Sequence, residues 1–239
     1  MAKIIGITGL AGAGKDSFAR ELQLALVASG KEARIDSFAD PIRRISQLMG
    51  LEPYGRDAKE RRITLTADAF RDRLYAAIEV VLHDRLEGHK RAELYAYTVE
   101  ACEKFEYGGN PKARPPTHGR EMDISPREFM QILGTEGGQR VSKTLWVNMA
   151  SMLWRAFPGF VLVTDVRFTH EAAMADCLFV VVRPGVVRVN GHKSEELADK
   201  LTQGLRPAFI KRETLFYVDN DRSLEALANK ACHLANAFF

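Results

Sequence analysis

Apolar and polar positions alternate along this chain in two rhythms. Lys3–Thr8 is a short, nearly unbroken apolar run, the pattern of a buried strand. Asp16–Ala28 sets Phe18, Leu22 and Leu26 at helical spacing, with Gly30 just beyond its end. Ala33–Phe38 reads as a second strand. Asp40–Met49 reads as a helix opened by Asp-Pro and stopped at Gly50. After residue 124 the rhythm returns. Ser125-Pro126 starts a helix that runs to Leu133, and helical spacing resumes from about Gln139 to Ala156. Apolar runs follow at Phe160–Thr164, Leu178–Val182 and Leu215–Val218, with helical segments between them, and Ser223–Ala237 closes the chain. Strands alternating with helices predict an α/β fold, a five-stranded parallel sheet flanked by helices.

Residues 51–124 break the alternation. Glu52–Arg62 is highly charged, Ala67–Leu86 reads as a long helix, and the stretch from Glu87 to Asp123 is polar. Gly108-Gly109-Asn110-Pro111 and Pro115-Pro116 interrupt any regular pattern there. The reading is a single domain over 1–239 with an inserted subdomain at about 51–124, in which residues 87–123 form a long mobile loop. A length of 239 residues suits one such domain.

Composition narrows the class. Hydrophobic residues make up 46% and charged residues 27%, enough for a real core. A net charge of +3, from 34 basic and 31 acidic side chains, does not suggest a nucleic-acid binder. Cys102, Cys177 and Cys232 form neither a CxxC pair nor a disulfide framework, which favours a reducing compartment. No signal-peptide pattern opens the chain, and no segment approaches the ~20 apolar residues of a membrane span. A cytoplasmic, soluble chain with no membrane partner is expected, and a homodimer is left open.

The strongest chemical signal lies between the first strand and the first helix. Gly9-Leu10-Ala11-Gly12-Ala13-Gly14-Lys15 satisfies GxxxxGK in the required strand–helix context. Ala11, Gly12, Ala13 and Gly14 would turn backbone N–H groups toward the phosphates of a nucleoside triphosphate, ATP. Lys15 would neutralise the β/γ oxygens, and the helix dipole would add to it. Asp16 stands in the usual Ser/Thr position and Ser17 follows. Ser17 is the candidate contact for Mg²⁺ or a phosphate. Asp16 either holds a metal-bound water or favours the helix N-terminus. Asp165 ends an apolar strand at the carboxyl edge of the sheet, where α/β proteins place ligands; helix capping is the alternative. Arg167 and Glu171 follow at i,i+4, and after Asp165 a phosphate-binding arginine is the favoured reading. Cations between Arg183 and Arg212, among them Arg183, Arg188 and His192, mark 184–212 as a lid that would exclude water from the γ-phosphate.

The chain resembles the phage-type deoxynucleoside monophosphate kinases. The matching blocks are Gly-Lys-Asp-Ser at 14–17, Phe-Ala-Asp-Pro-Ile-Arg at 38–43 and Ser-Pro-Arg-Glu-Phe-Met-Gln-Ile-Leu-Gly-Thr-Glu at 125–136. They continue with Trp146-Val147, Thr-Asp-Val-Arg-Phe-Thr-His-Glu at 164–171 and Val-Val-Arg-Pro-Gly at 181–185. The resemblance implies a P-loop NTPase fold of the nucleoside monophosphate kinase type. It also implies transfer of the γ-phosphate of ATP, with Mg²⁺, to a deoxynucleoside monophosphate, in the host cytoplasm if the chain is phage-encoded. It implies further that Arg43 and Arg127 hold the acceptor phosphate. Gln131, Gly134, Thr135 and Trp146 would line the acceptor site, completed by Asp165, Arg167 and Glu171. Lys15, Arg127, Asp165 and Arg167 would then be the catalytic set. Glu128 stands where the family carries a second basic residue. Animal-type phosphomevalonate kinases share a Gly-Lys-Asp loop and an Asp-x-Arg segment, so another small-molecule kinase is the runner-up. A GTPase switch lacks its guanine-reading motif, because Asn229-Lys230 runs on into Ala231-Cys232. A non-kinase ATPase is the remaining class.

Overall fold

The computed structural model describes residues 2–106, 121–187 and 196–238. Its strands in chain order are β1 (Lys3–Thr8), β2 (Ala33–Asp36), β3 (Ile63–Thr66), β4 (Glu121–Ile124), β5 (Phe160–Val163), β6 (Cys177–Val182) and β7 (Leu215–Asp219). The chain divides into two compact units, residues 1–38 with 150–239, and residues 39–149.

The first unit is built on a five-stranded sheet in the order β2-β5-β1-β6-β7, with every neighbouring pair parallel. The central strands β5, β1 and β6 are the chain's near-continuous apolar runs, as strands covered on both faces must be. Ile5, Ile7, Val161, Leu162, Phe179 and Val180 are all fully buried. Helices Lys15–Ala28 and Leu224–Phe238 contribute Phe18, Leu22, Leu26, Leu227 and Ala231 to one core with Ile5, Ile7 and Phe179. The Phe18 ring meets Phe179 edge-on at 5.4 Å. Buried Trp154 packs on Phe38 at 5.0 Å.

Register decides what the sheet can do. Thr8 pairs with Val180, Gly6 and Asp36 both pair with Val163, and Val182 pairs with Asp219. The carboxyl ends of all five strands therefore share one edge. The segments leaving them carry the glycine loop, Ser37 and Phe38, Asp165, Arg183 and Asn220. Open parallel sheets bind ligands at this edge.

The second unit has its own core, in which Ile45, Phe70, Leu74, Phe129 and Leu133 come together. Helices Asp40–Leu48, Ala67–Leu82, Gly88–Glu106 and Pro126–Ile132 surround it, beside an antiparallel β3–β4 pair. Two expectations fail here. The polar stretch from 87 was read as irregular, yet Gly88–Glu106 is a 19-residue helix. Its fully buried positions include Leu94, Thr98 and Cys102, one per turn. A stripe that narrow, with a threonine and a cysteine in it, carries little hydrophobic periodicity. Residues 107–120, with both Gly/Pro clusters, lie outside the described residues, as does that part of the mobile-loop expectation. The helix read as 67–86 stops at Leu82. There the Arg91 guanidinium donates to the carbonyls of His83 and Leu86 and bonds Glu79 at 2.8 Å, so a side chain holds the carbonyls of the turn that follows the helix. Strands β3 and β4 are four residues each, too short for alternation to declare them.

Candidate active site

Residues 9–14 form a tight loop between β1 and the first helix. Gly12 and Gly14 have φ of +82° and +93°, a region side chains avoid. The first hydrogen bond of the helix runs from Phe18 N–H to Gly14 O at 3.0 Å. The helix thus offers no internal partner to the N–H groups of Asp16 and Ser17, which face outward at its positive end. Both side chains are exposed. Lys15 curls over the loop, its Nζ donating to the carbonyls of Gly9 at 2.8 Å and Leu10 at 2.9 Å.

Asp165 stands on the same edge, beyond β5. Its carboxylate accepts the Ser37 hydroxyl and, at 3.0 Å, the Phe38 N–H. Those two donors follow β2, so the strand pairing that aligns β2 with β5 also sets the carboxylate beside the loop's strand. Ser37 escaped the sequence reading. A polar residue closing a strand at the carboxyl edge was its only signal. Arg167 and Arg183 are exposed on this edge. Arg188 and His192 lie outside the described residues, as does the part of the lid from 188 to 195.

Glu171 is buried, at 9% exposure. One carboxylate oxygen accepts the N–H groups of Arg167 at 2.7 Å and Phe168 at 3.0 Å, closing the start of the short helix Thr169–Ala172. Burial pushes its pKa up to about 7 against those two bonds, and the Asp165 charge adds to the rise. The folded state therefore holds this proton more tightly than the unfolded chain. The stability it gives is full below the ordinary glutamate range and is lost as pH rises through about 7. Relative to Glu171→Gln, the wild-type chain should lose roughly 2–3 kcal/mol between pH 5 and pH 8. Denaturant midpoints of both proteins at the two pH values check this, and parallel pH profiles would show that Glu171 titrates normally.

The acceptor residues named by resemblance fall on the second unit, apart from Asp165, Arg167 and Glu171. Arg43, half-buried, pairs with Asp40 at 2.6 Å within the helix Asp40–Leu48. Arg127 opens the helix Pro126–Ile132, exposed, with Glu60 at 2.5 Å. Ser125 and Glu128 form a capping box at that helix start. Glu128 also binds Arg62 at 2.9 Å, and Arg62 reaches Asp123 at 2.7 Å. The departure at Glu128 thus has a structural use. Leu133–Gly137 is a π turn. Exposed Gln131 gives its carbonyl to the Thr135 hydroxyl at 2.7 Å, and the Trp146 indole N–H donates to Gly134 O at 3.0 Å. Insertions of this kind recur at functional sites. The Gly-Thr-Glu block and Trp146 are accordingly one hydrogen-bonded piece.

A glycine loop opening the first helix of a five-stranded parallel sheet is the P-loop NTPase architecture, the fold of this chain, and a family match over its first part supports a kinase of that class. Residues 1–96 match the family model of adenylylsulphate kinase, a stretch that holds the whole phosphate loop. None of the curated proteins matches the chain. Kinases of this class use ATP with Mg²⁺. Among the described residues no helix is long and apolar enough to cross a membrane.

Proposed function

We propose that this kinase moves the γ-phosphate of ATP to a deoxynucleoside monophosphate, giving the diphosphate. The observation that carries the acceptor class is the built unit of the Gly-Thr-Glu block, in which the Trp146 N–H fastens the π turn at Gly134 O. On the first unit, Lys15 would exchange its two loop carbonyls for phosphate oxygens, while the N–H groups at the helix start accept negative charge. On the second unit, Arg43 and Arg127 each have a carboxylate partner that an acceptor phosphate would replace. Positioning and charge neutralisation carry most of such a reaction. Among the described residues no three acidic, His or Cys side chains cluster to hold a metal. This fits Mg²⁺ carried mainly by the nucleotide, with Ser17 or Asp16 as its protein contact. When bound, Mg²⁺ would neutralise phosphate charge.

The test is product formation with ATP·Mg²⁺ and dAMP, dGMP, dCMP, dTMP or 5-hydroxymethyl-dCMP in turn. At least one should yield its diphosphate. The match to adenylylsulphate kinase over residues 1–96 favours a second reading, a different nucleotide-like acceptor, so adenylylsulphate belongs in the same screen. Turnover of it alone would replace the proposal.

If Arg127 and Arg167 hold the acceptor phosphate, Arg127→Ala and Arg167→Ala should each lower kcat/KM by roughly 10- to 100-fold. The factor should be similar for every accepted base. A changed preference among bases, with phosphate affinity intact, would reassign the arginine.

A further inference from the structure

The turn that follows β7 reaches back to the glycine loop. Asn220 is fixed at two points. Its backbone N–H donates to Val182 O at 2.7 Å, prolonging the β6–β7 ladder by a rung. Its side-chain Nδ2 donates to Ala13 O at 2.8 Å, across 207 residues of sequence. Lys230, from the helix Leu224–Phe238, anchors the same turn by donating to Asp219 O and, at 3.2 Å, to Asp221. The Asn220 amide lies so close to Gly14 that a Cβ there would overlap it.

Peptide geometry gives this contact a consequence. The carbonyl of Ala13 and the N–H of Gly14 share one trans peptide plane and point in opposite directions. With the carbonyl held by Asn220, the Gly14 N–H is aimed away from that turn. On the other side of Ala13, its own N–H is bound to Leu10 O at 3.1 Å. A flip of the 13–14 peptide would break the Asn220 bond and turn a carbonyl oxygen to the side the N–H now faces. A carbonyl there would repel phosphate, whereas an N–H attracts it.

We infer that Asn220 is a positioning residue of the donor site, locking the Ala13–Gly14 peptide with the Gly14 N–H directed at the triphosphate. The inference rests on the proposed nucleotide-binding role of the loop, but not on the identity of the acceptor. A contact from the 219–221 turn to adenine would act on the base, whereas a peptide lock acts on phosphate.

The experiment uses the full chain without acceptor. Wild type, Asn220→Ala and Asn220→Asp are titrated with ATP·Mg²⁺ and, separately, with inorganic tripolyphosphate, and each is melted thermally. Asn220→Ala should weaken both ligands by the same factor, about 10-fold. Asn220→Asp should weaken them further, because it sets a carboxylate oxygen against a carbonyl. Melting midpoints should stay within a few degrees of wild type. Unchanged ATP affinity in both variants would overturn the inference, whatever the melting points do. A loss for ATP with tripolyphosphate unaffected would also overturn it and assign Asn220 to the base. A wild-type chain that binds no ATP would remove the donor-site reading itself, an outcome distinct from either.

Discussion

Lys15→Ala should lower phosphoryl transfer on the order of 10³-fold or more while the chain stays folded. The reason lies in where the side chain sits. Lys15 is the cation that ends the glycine loop, and its ammonium already bridges the carbonyls of Gly9 and Leu10 at 2.8 and 2.9 Å. It is therefore held over the loop before any nucleotide arrives. During transfer, negative charge builds on the β/γ bridging region, and a preorganised cation there stabilises the transition state more than the ground state. A factor of 10³ corresponds to about 4 kcal/mol in barrier. Folding should hardly notice, since the side chain is only half-buried and both carbonyls can turn to water. Steady-state turnover and a thermal melt on one preparation make the check. Near-normal turnover would mean that the loop does not carry the chemistry.

Gly138→Ala should destabilise the chain by about 3 kcal/mol, and the cause is crowding, not backbone strain. Gly138 has φ of −67°, ordinary helical backbone that alanine adopts freely. What excludes a side chain is the Trp146 indole, whose Nε1, Cε2 and Cζ2 would all overlap the new Cβ. The ring has little freedom to retreat. It is 9% exposed, and moving it breaks the bond from its N–H to Gly134 O. Overpacking and a lost, partly buried hydrogen bond therefore add. For a chain of this size the melting midpoint should fall by roughly 6–12 °C. A shift under about 2 °C would show that the ring relocates at little cost. Any fall in acceptor affinity larger than the stability loss explains would add support to the acceptor role proposed for this turn.

The two predictions mark where sequence was sufficient and where it was not. The phosphate loop was legible because each of its requirements is local: a buried strand before it, glycines at the turn, a lysine at the helix start. The parallel sheet was legible because strands covered on both faces must be apolar throughout, and Phe160–Val163 and Cys177–Val182 are. The capped start at Ser125-Pro126 was legible for the same reason, since a capping box closes within four residues.

Tertiary structure decided the rest. The helix Gly88–Glu106 was hidden because Leu94, Thr98 and Cys102 give it only a thin buried stripe. It packs closely where Gly137 leaves room for Thr98, and no pattern within 88–106 reveals a glycine 39 residues beyond Thr98. Trp146 was tied to the acceptor site by resemblance alone, and its bond to Gly134 O depends on a π turn that periodicity does not signal. Ser37 and Asn220 gained their roles from strand order. A sheet arranged β2-β5-β1-β6-β7 sets residues 37 and 165 side by side, while the turn after β7 reaches past β6 to bring residue 220 to residue 13. The sequence by itself determined the chemistry that local geometry can build, a cradle for phosphate on a parallel sheet. Which distant residues steady that cradle was determined only by the register of the strands, because a hydrogen bond acts over about 3 Å and cannot be read from positions hundreds of residues apart.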